Sequence, residues 1–582
     1  MKKQKLKQML AALLVLLMLP SMTACAGSEG RTDPEGSMVS DVVAEAGTTD
    51  DAAALPSAEA EELPGKVKNL VIGTTTVNDT FNLLTQSGAY GKTNYNCLAN
   101  GDFVYLNAKN ELTPYFLKSF EISEDGCVLY ITFPTDAVWH DGEPVTAEDV
   151  RFTFEYKRDV MNASTLKNLT DIEVTGEDSM TLTFSQPDAY AFLAQGAGNN
   201  NCVIPKHIWE TITEYEEYTG SDASIGCGPY KLASYDLDAG TSYYEAVPEN
   251  AYLGDLTVES VTVKSYSGQD ALLMAMANGE IDVMFDYAAP IDVTLLDLIS
   301  DNEDIALGDS DYSGNYQLTF GMERAPGNDR SFREAAVKGL NWELLCQVIN
   351  GGYGQIPGSG IIPPSCLGYD DSLWKFYRDL DEAKSILDSA GYADTDGDGY
   401  RENPDGSALE IKVTPQNSSK KQEVLNRIAD VIMSSLDEMG IKAYIDQESL
   451  QSSEKWEATV IDGDYDLFIG YTTSGMAKYS SAFRYFVADS RDGDESGTWI
   501  WGTYHDQAFT DLVWSLTYSA SEQDYRDSMA GLQKAASEEL FGCALCWETC
   551  FYPYRTDKYQ GFENWAGWGV VNPEIFYTLT SR

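Results

Sequence analysis

Histidine is scarce: there are three in 582 residues, His140, His207 and His505. So few residues, so widely spaced, leave little from which to build a His-rich metal or haem site or a nucleophile–His–acid set. Basic residues are scarce too, with 39 Lys and Arg against 92 Asp and Glu and a net charge of −53. Neutralising phosphate needs an excess of cationic side chains, so nucleic acid is excluded as a partner, as is electrostatic docking on anionic lipid. No stretch reaches the ~20 consecutive apolar residues of a membrane-spanning helix. No G-x-x-x-x-G-K-[ST] loop is present, so any ATP hydrolysis belongs to a partner. What the chain does have is apolar material. Hydrophobic residues make up 43% and aromatics 12%, enough for packed cores despite the charge. The length exceeds the ~250–300 residues at which a single core stops growing.

Lys2, Lys3, Lys5 and Lys7 precede a short apolar run from Gln8 to Pro20, followed by Met22-Thr23-Ala24-Cys25. A positive start, a run too short to span and small residues before a cysteine look like a bacterial lipobox. On that reading residues 1–24 are a lipoprotein signal peptide and Cys25 is lipidated; an ordinary signal peptide with an incidental cysteine is the alternative. Lipidation anchors the body to the extracytoplasmic face of the cell membrane without spanning it. Residues 25–65 then form an acidic disordered linker, rich in Gly, Ser, Ala, Thr and Pro, with ten acids against Arg31. Ten cysteines are present. With Cys25 assigned to lipid, the odd remainder cannot all pair within one chain. Cys543, Cys546 and Cys550 permit a metal or redox site, but Leu545, Trp547 and Phe551 around them read as a buried strand.

The body starts near Lys66. Leu70-Val71-Ile72 is a buried strand, and Val128–Phe133 and Met180–Phe184 alternate as half-buried strands. Thr146 to Asp149 predicts a capped helix start. The strand at 409–413, the amphipathic helix at 420–439, stopped by Gly440, and the strand at 441–445 predict a βαβ unit. Glu522–Leu540 is a further helix, leading into the Cys-containing strand.

Six segments match one family in order. They are Leu112-Thr113-Pro114-Tyr115-Phe116-Leu117, Trp139-His140-Asp141-Gly142 through Asp149-Val150, Gly226-Cys227-Gly228-Pro229-Tyr230, Asn278-Gly279-Glu280-Ile281-Asp282, Asp329 with Phe332-Arg333-Glu334-Ala335, and Asp381-Glu382-Ala383-Lys384 through Ala390-Gly391-Tyr392. Together they resemble the family 5 solute-binding proteins of ABC transporters, the group of dipeptide- and oligopeptide-binding proteins, over about residues 66–582. The resemblance implies an α/β, two-lobed periplasmic-binding-protein-like fold of type II with an extra subdomain. Lobe I would span 66–317, lobe II 318–554, and a C-terminal segment, 555–582, would return to lobe I. It implies a binding role without catalysis: capture of a peptide or other small polar solute between the lobes, as a monomer, for delivery to ABC permease subunits with a cytoplasmic ATPase. A surface receptor for a peptide signal, and a binding protein for oligosaccharides or another non-peptide solute, are the alternatives.

In the family a lobe II loop carries an Asp that meets the amino group of a bound peptide. The matching stretch here places Tyr471, Thr472 and Thr473 in the loop and Ser474 where that Asp is expected. A buried ammonium needs a carboxylate, whereas a hydroxyl suits a neutral group. Asp464 or Asp466 is the alternative acid. On lobe I the loop after the first strand offers Thr85, Gln86, Ser87 and Tyr90. Asn200 and the aromatic Trp501 complete the candidate lining. No cofactor is required, but Asp394, Asp396, Asp398, Tyr400 and Asp405 follow the alternate spacing of a calcium loop, with Gly399 at its turn. Plain turn chemistry explains the same residues.

Overall fold

Strand pairing sorts the described residues into two main sheets, a smaller four-stranded one and two two-stranded ribbons. The computed structural model describes residues 65–77, 80–85, 98–109, 111–196, 202–286, 291–311, 314–373, 377–418, 421–473, 483, 486, 502–565 and 569–582. The first sheet has seven strands. In spatial order they are Ile305–Asp311, Thr549–Arg555, Val283–Met284, Leu70–Thr74, Ser260–Ser265, Thr241–Ala246 and Tyr230–Asp236. Leu70–Thr74 lies parallel to both of its neighbours. The second sheet has five, in the order Lys442–Ile445, Glu410–Pro415, Leu467–Thr473, Gly314–Phe320 and Gly542–Cys546. Its first three strands are parallel and the last two pair antiparallel.

Local sequence accounts for these elements. The helix Gln422–Glu438 turns Leu425, Ile428, Val431, Ile432 and Leu436 inward, and its chain leaves through Gly440 at φ +75°. It joins the parallel 410–415 and 442–445 strands, so the expected βαβ unit is present. The helix Ala147–Asp159 starts on a reciprocal capping box between Thr146 and Asp149. Alternating burial along Val128–Thr132 and Ser179–Phe184 builds a four-stranded antiparallel sheet with Ser119–Ile122 and Leu169–Val174, the extra subdomain.

Each sheet has a core of its own. Leu70, Ile72, Tyr244, Val261 and Val263 pack under the seven-stranded sheet. Leu318, Phe320, Ile411, Val413, Ile428 and Ile432 pack around the five-stranded one. Leu129, Ile131, Trp139, Phe154 and Leu182 fill the subdomain. A fourth cluster crosses between the lobes: Tyr190 and Ala194 of the subdomain pack with Phe509, Val513, Tyr525 and Trp547 of lobe II.

The chain passes between the sheets twice, from Asp311 to Gly314 and from Cys546 to Thr549. Their flanks lie side by side: Asp311 pairs with Thr549 and Tyr316 with Cys546. Pairing therefore moves both expected boundaries. The passage expected at 318 lies before Gly314, and the one expected at 554 lies before Thr549, since all of Thr549–Arg555 belongs to the first sheet. Cys543 and Cys546 are buried in one sheet and Cys550 in the other. Burial pushes the Cys543 thiol up to about 12, the behaviour of a core residue.

Candidate ligand-binding site

In an open α/β sheet, ligands meet the carboxyl ends of the parallel strands. In the first sheet those ends are Thr74, Ser265 and Met284; in the second they are Pro415, Ile445 and Thr473. Asp311, at the end of its strand, and Gly314, paired with Thr473, put both passages at these same ends. The geometry directs the loops of both lobes toward one seam.

On lobe I, buried Asp286 organises the loop that leaves the first strand. Its carboxylate accepts from Thr75 N at 2.9 and 3.0 Å, from Thr75 Oγ1 at 2.7 Å and from Thr76 Oγ1 at 3.1 Å, and also from Thr74 Oγ1. Ser265 Oγ donates to Thr76 O at 2.8 Å. Farther along, Asn82 Nδ2 donates to Tyr215 O and Tyr218 O at 2.9 and 3.0 Å. Half-buried Thr85 donates its N–H to Asn82 O at 3.3 Å. Gln86, Ser87, Tyr90 and Asn200 lie outside the described residues, as do Ser474, Trp501 and Cys25.

On lobe II, Tyr471 touches both lobes. Its half-buried ring packs against both the lobe I and the lobe II cores. Gln416 Oε1 accepts from Tyr471 N at 2.8 Å. The Tyr316 ring lies 4.7 Å away, and Lys421 Nζ sits 4.9 Å above the Tyr471 ring, a cation–π contact. Thr472 and Thr473 pair through their backbone with Asn315 and Gly314. The two alternative acids are already engaged at the other end of the strand. Asp464 pairs with Arg324 at 2.8 Å and Lys412 at 2.9 Å, and Asp466 pairs with Arg324 at 2.9 Å. Contacts from Lys412 and then Arg324 hold the Asp464 carboxyl below its ordinary range.

Sequence reasoning missed Glu548. It stands in the second passage, half-buried, with Oε2 fully enclosed and accepting no hydrogen bond. Burial pushes its carboxyl up to about 7, while Lys421 pulls the other way. Glu548 in turn adds to burial in raising the Tyr316 hydroxyl. The available signal was a single acid inside the apolar run Cys543-Ala544-Leu545-Cys546-Trp547-Glu548-Thr549-Cys550.

The histidines have separate partners. His207 pairs with Asp141 and His505 with Glu323, while burial lowers His140 to about 4. Among the described residues the one group spaced for a metal is Asp394, Asp396, Asp398 and Glu402, with ligand atoms within 4.8 Å of one another. The expected closing residue, Asp405, is not in it: its carboxylate accepts from Ser407 N at 3.0 Å and Ser407 Oγ at 2.6 Å. Bridges of Glu402 to Ala393 and Ala408 fold the chain back before Asp405. The Tyr400 hydroxyl points away, donating to Asp437 at 3.0 Å.

The chain's likeness to known proteins fits this geometry. The profile of the bacterial extracellular solute-binding proteins, family 5 (middle), matches residues 111–494. A Brucella ovis protein named as an ABC transporter peptide-binding protein is 26% identical over 308 residues, 50% of this chain and 55% of its own. The match thus spans about half the length of that relative. The oligopeptide-binding protein AppA of Bacillus subtilis is 25% identical over 392 residues, 61% of this chain and 67% of the relative. Its structure with a nonapeptide aligns at a TM-score of 0.60 and 17% identity, covering 89% of this chain and 100% of that one. An oligopeptide-binding protein of Thermotoga maritima with bound mannohexaose aligns at 0.62 and 20% identity, covering 88% and 99%. At these identities the structures establish the shared fold.

Two predictions follow from the site's electrostatics. An acid that is neutral in the fold and ordinary when unfolded loses its stabilising effect as pH rises through the folded value. Among the described residues, Lys421, Tyr316 and Cys546 are titratable groups that interact with Glu548. Between pH 5 and pH 8 the wild type should therefore lose about 2–3 kcal/mol relative to Glu548→Gln, read as diverging thermal midpoints; parallel pH profiles would contradict the burial. In the acidic loop, Asp394, Asp396, Asp398 and Glu402 each accept from loop backbone N–H groups. Calorimetry with calcium chloride should give no heat of binding; heat that disappears in Asp398→Ala would make the loop a cation site.

Proposed function

The chain belongs to the bacterial extracellular solute-binding proteins of family 5, and from that premise we propose that it captures a peptide between its two lobes and delivers it to the permease of an ABC importer driven by a cytoplasmic ATPase. The observation that carries this reading is the convergence of both sets of parallel-strand ends, and both interlobe passages, on one seam that contains Tyr471. A hinge made of two short adjacent passages lets one lobe rotate against the other, and ligand contacts to both lobes favour closure. Among the described residues no helix is long and apolar enough to cross a membrane.

A second reading, capture of a neutral polar solute such as an oligosaccharide, is favoured by Ser474 in place of an acid and by the mannohexaose in the Thermotoga structure. Mass spectrometry of whatever co-purifies, followed by a thermal-shift panel of peptides and oligosaccharides, separates the two. A ligand at 100 times its Kd stabilises the fold by about 2.7 kcal/mol, a clear shift of the midpoint. Peptides should produce that shift; a shift with sugars alone selects the second reading, and no shift with any solute contradicts transport binding.

We also propose that Cys25 is lipidated and that residues 25–65 tether a monomeric body to the outer face of the cell membrane. Expressed in a bacterium that processes lipoproteins, the wild type should partition with membranes and Cys25→Ser should not. Equal partitioning of the two would remove the anchor.

A further inference from the structure

The charged groups around the seam are unequal in how they are satisfied. Asp286 is saturated by threonine donors. Asp464 and Asp466 are held by Arg324 and Lys412 at the far end of the strand. Asp446 accepts from Glu448 N and Ser449 N at the mouth of its own strand. Ser474, where a lobe II acid would serve a bound ammonium, carries no charge. Glu548 alone of this set has an enclosed oxygen with no donor. It lies in the passage between the lobes, within the fields of Tyr316 and Lys421, whose partner ring is Tyr471. A buried polar atom left without a partner is costly and calls for an explanation. A ligand that supplies the missing donor removes the cost.

We propose that Glu548 receives the primary ammonium of the bound solute, with the Tyr471 and Tyr316 rings as the wall beside it, and that it is the specificity-determining acid of this protein. The inference rests on the reading of the chain as a solute-binding protein and names the ligand class: solutes with a free amino group, such as unblocked peptides. The Tyr471 ring already faces one ammonium, that of Lys421, so its π face suits a cation. A carboxylate on the connecting strand is also well placed mechanically, because it touches the ligand at the pivot and stays with it whichever lobe moves.

The probe is a mixed-sequence pentapeptide library in two forms, with free and with N-acetylated amino termini. Each is incubated with the full protein, and retained peptides are identified by mass spectrometry at pH 7.5 and pH 5.5. Wild type should retain free-amino peptides at least 10-fold over acetylated ones at pH 7.5. That preference should shrink at pH 5.5, where Glu548 is protonated although the peptide amine is fully charged. Glu548→Gln should retain peptides without the preference at either pH. If Glu548→Gln keeps the wild-type preference, the inference is overturned while peptide binding stands. Should that variant not fold, the wild-type pH comparison decides: a preference unchanged at pH 5.5 overturns the inference. Retention of no peptide by wild type overturns the peptide reading, and this inference with it.

Discussion

The structure depends on one constraint, the placement of two short strand-to-strand passages side by side at the carboxyl ends of the parallel strands. Each crosses in a few residues, between Asp311 and Gly314 and between Cys546 and Thr549. Because they are adjacent and short, they hold the two sheets close along one line. Each sheet has its own core, but Tyr190 and Ala194 of the subdomain pack with Phe509, Val513 and Tyr525 of lobe II, so turning must part these side chains. Tyr471 spans the division, lying against both cores at once.

The acidic composition sorts into carboxylates with different roles. Asp286 holds the lobe I loop through threonine N–H and O–H donors, a structural use that leaves it nothing to offer a ligand. Asp464 and Asp466 lock the entry of the 467–473 strand to Arg324 and Lys412. The Asp394–Glu402 loop satisfies its own turn. Glu548 stands in the passage between the lobes with an enclosed oxygen that accepts no hydrogen bond among the described residues, as is also true of Oδ1 of Asp102 and of Asp188 in the subdomain. The large negative charge thus says little about the ligand, and one enclosed carboxylate near Tyr316 and Lys421 says more.

Much of this was legible in the sequence. The βαβ unit at 410–445 followed from helix periodicity and a glycine stop, and the capped helix at Thr146 from its capping box. Ordered motifs pointed to the two-lobed fold and to Tyr471. The exact passages were not legible, for a physical reason. Alternating burial marks a strand but not the sheet it joins, and the Cys543–Cys550 run is apolar on both sides of its crossing. The residue that closes the acidic loop was likewise set by tertiary bridges of Glu402, not by spacing. Glu548 escaped notice because one acid in an apolar strand resembles an exposed position until the partner sheet is in place. Gln86, Ser87, Tyr90, Asn200, Ser474 and Trp501 fall outside the described residues and remain candidates from motif position.

The central claim is that the two lobes close on a solute by rotation about the paired passages. Small-angle X-ray scattering tests it directly. Protein stripped of its solute by unfolding and refolding is measured alone and after the released solute is added back. The account predicts a smaller radius of gyration on addition, as the lobes close. A radius of gyration that does not change although the solute rebinds would contradict it.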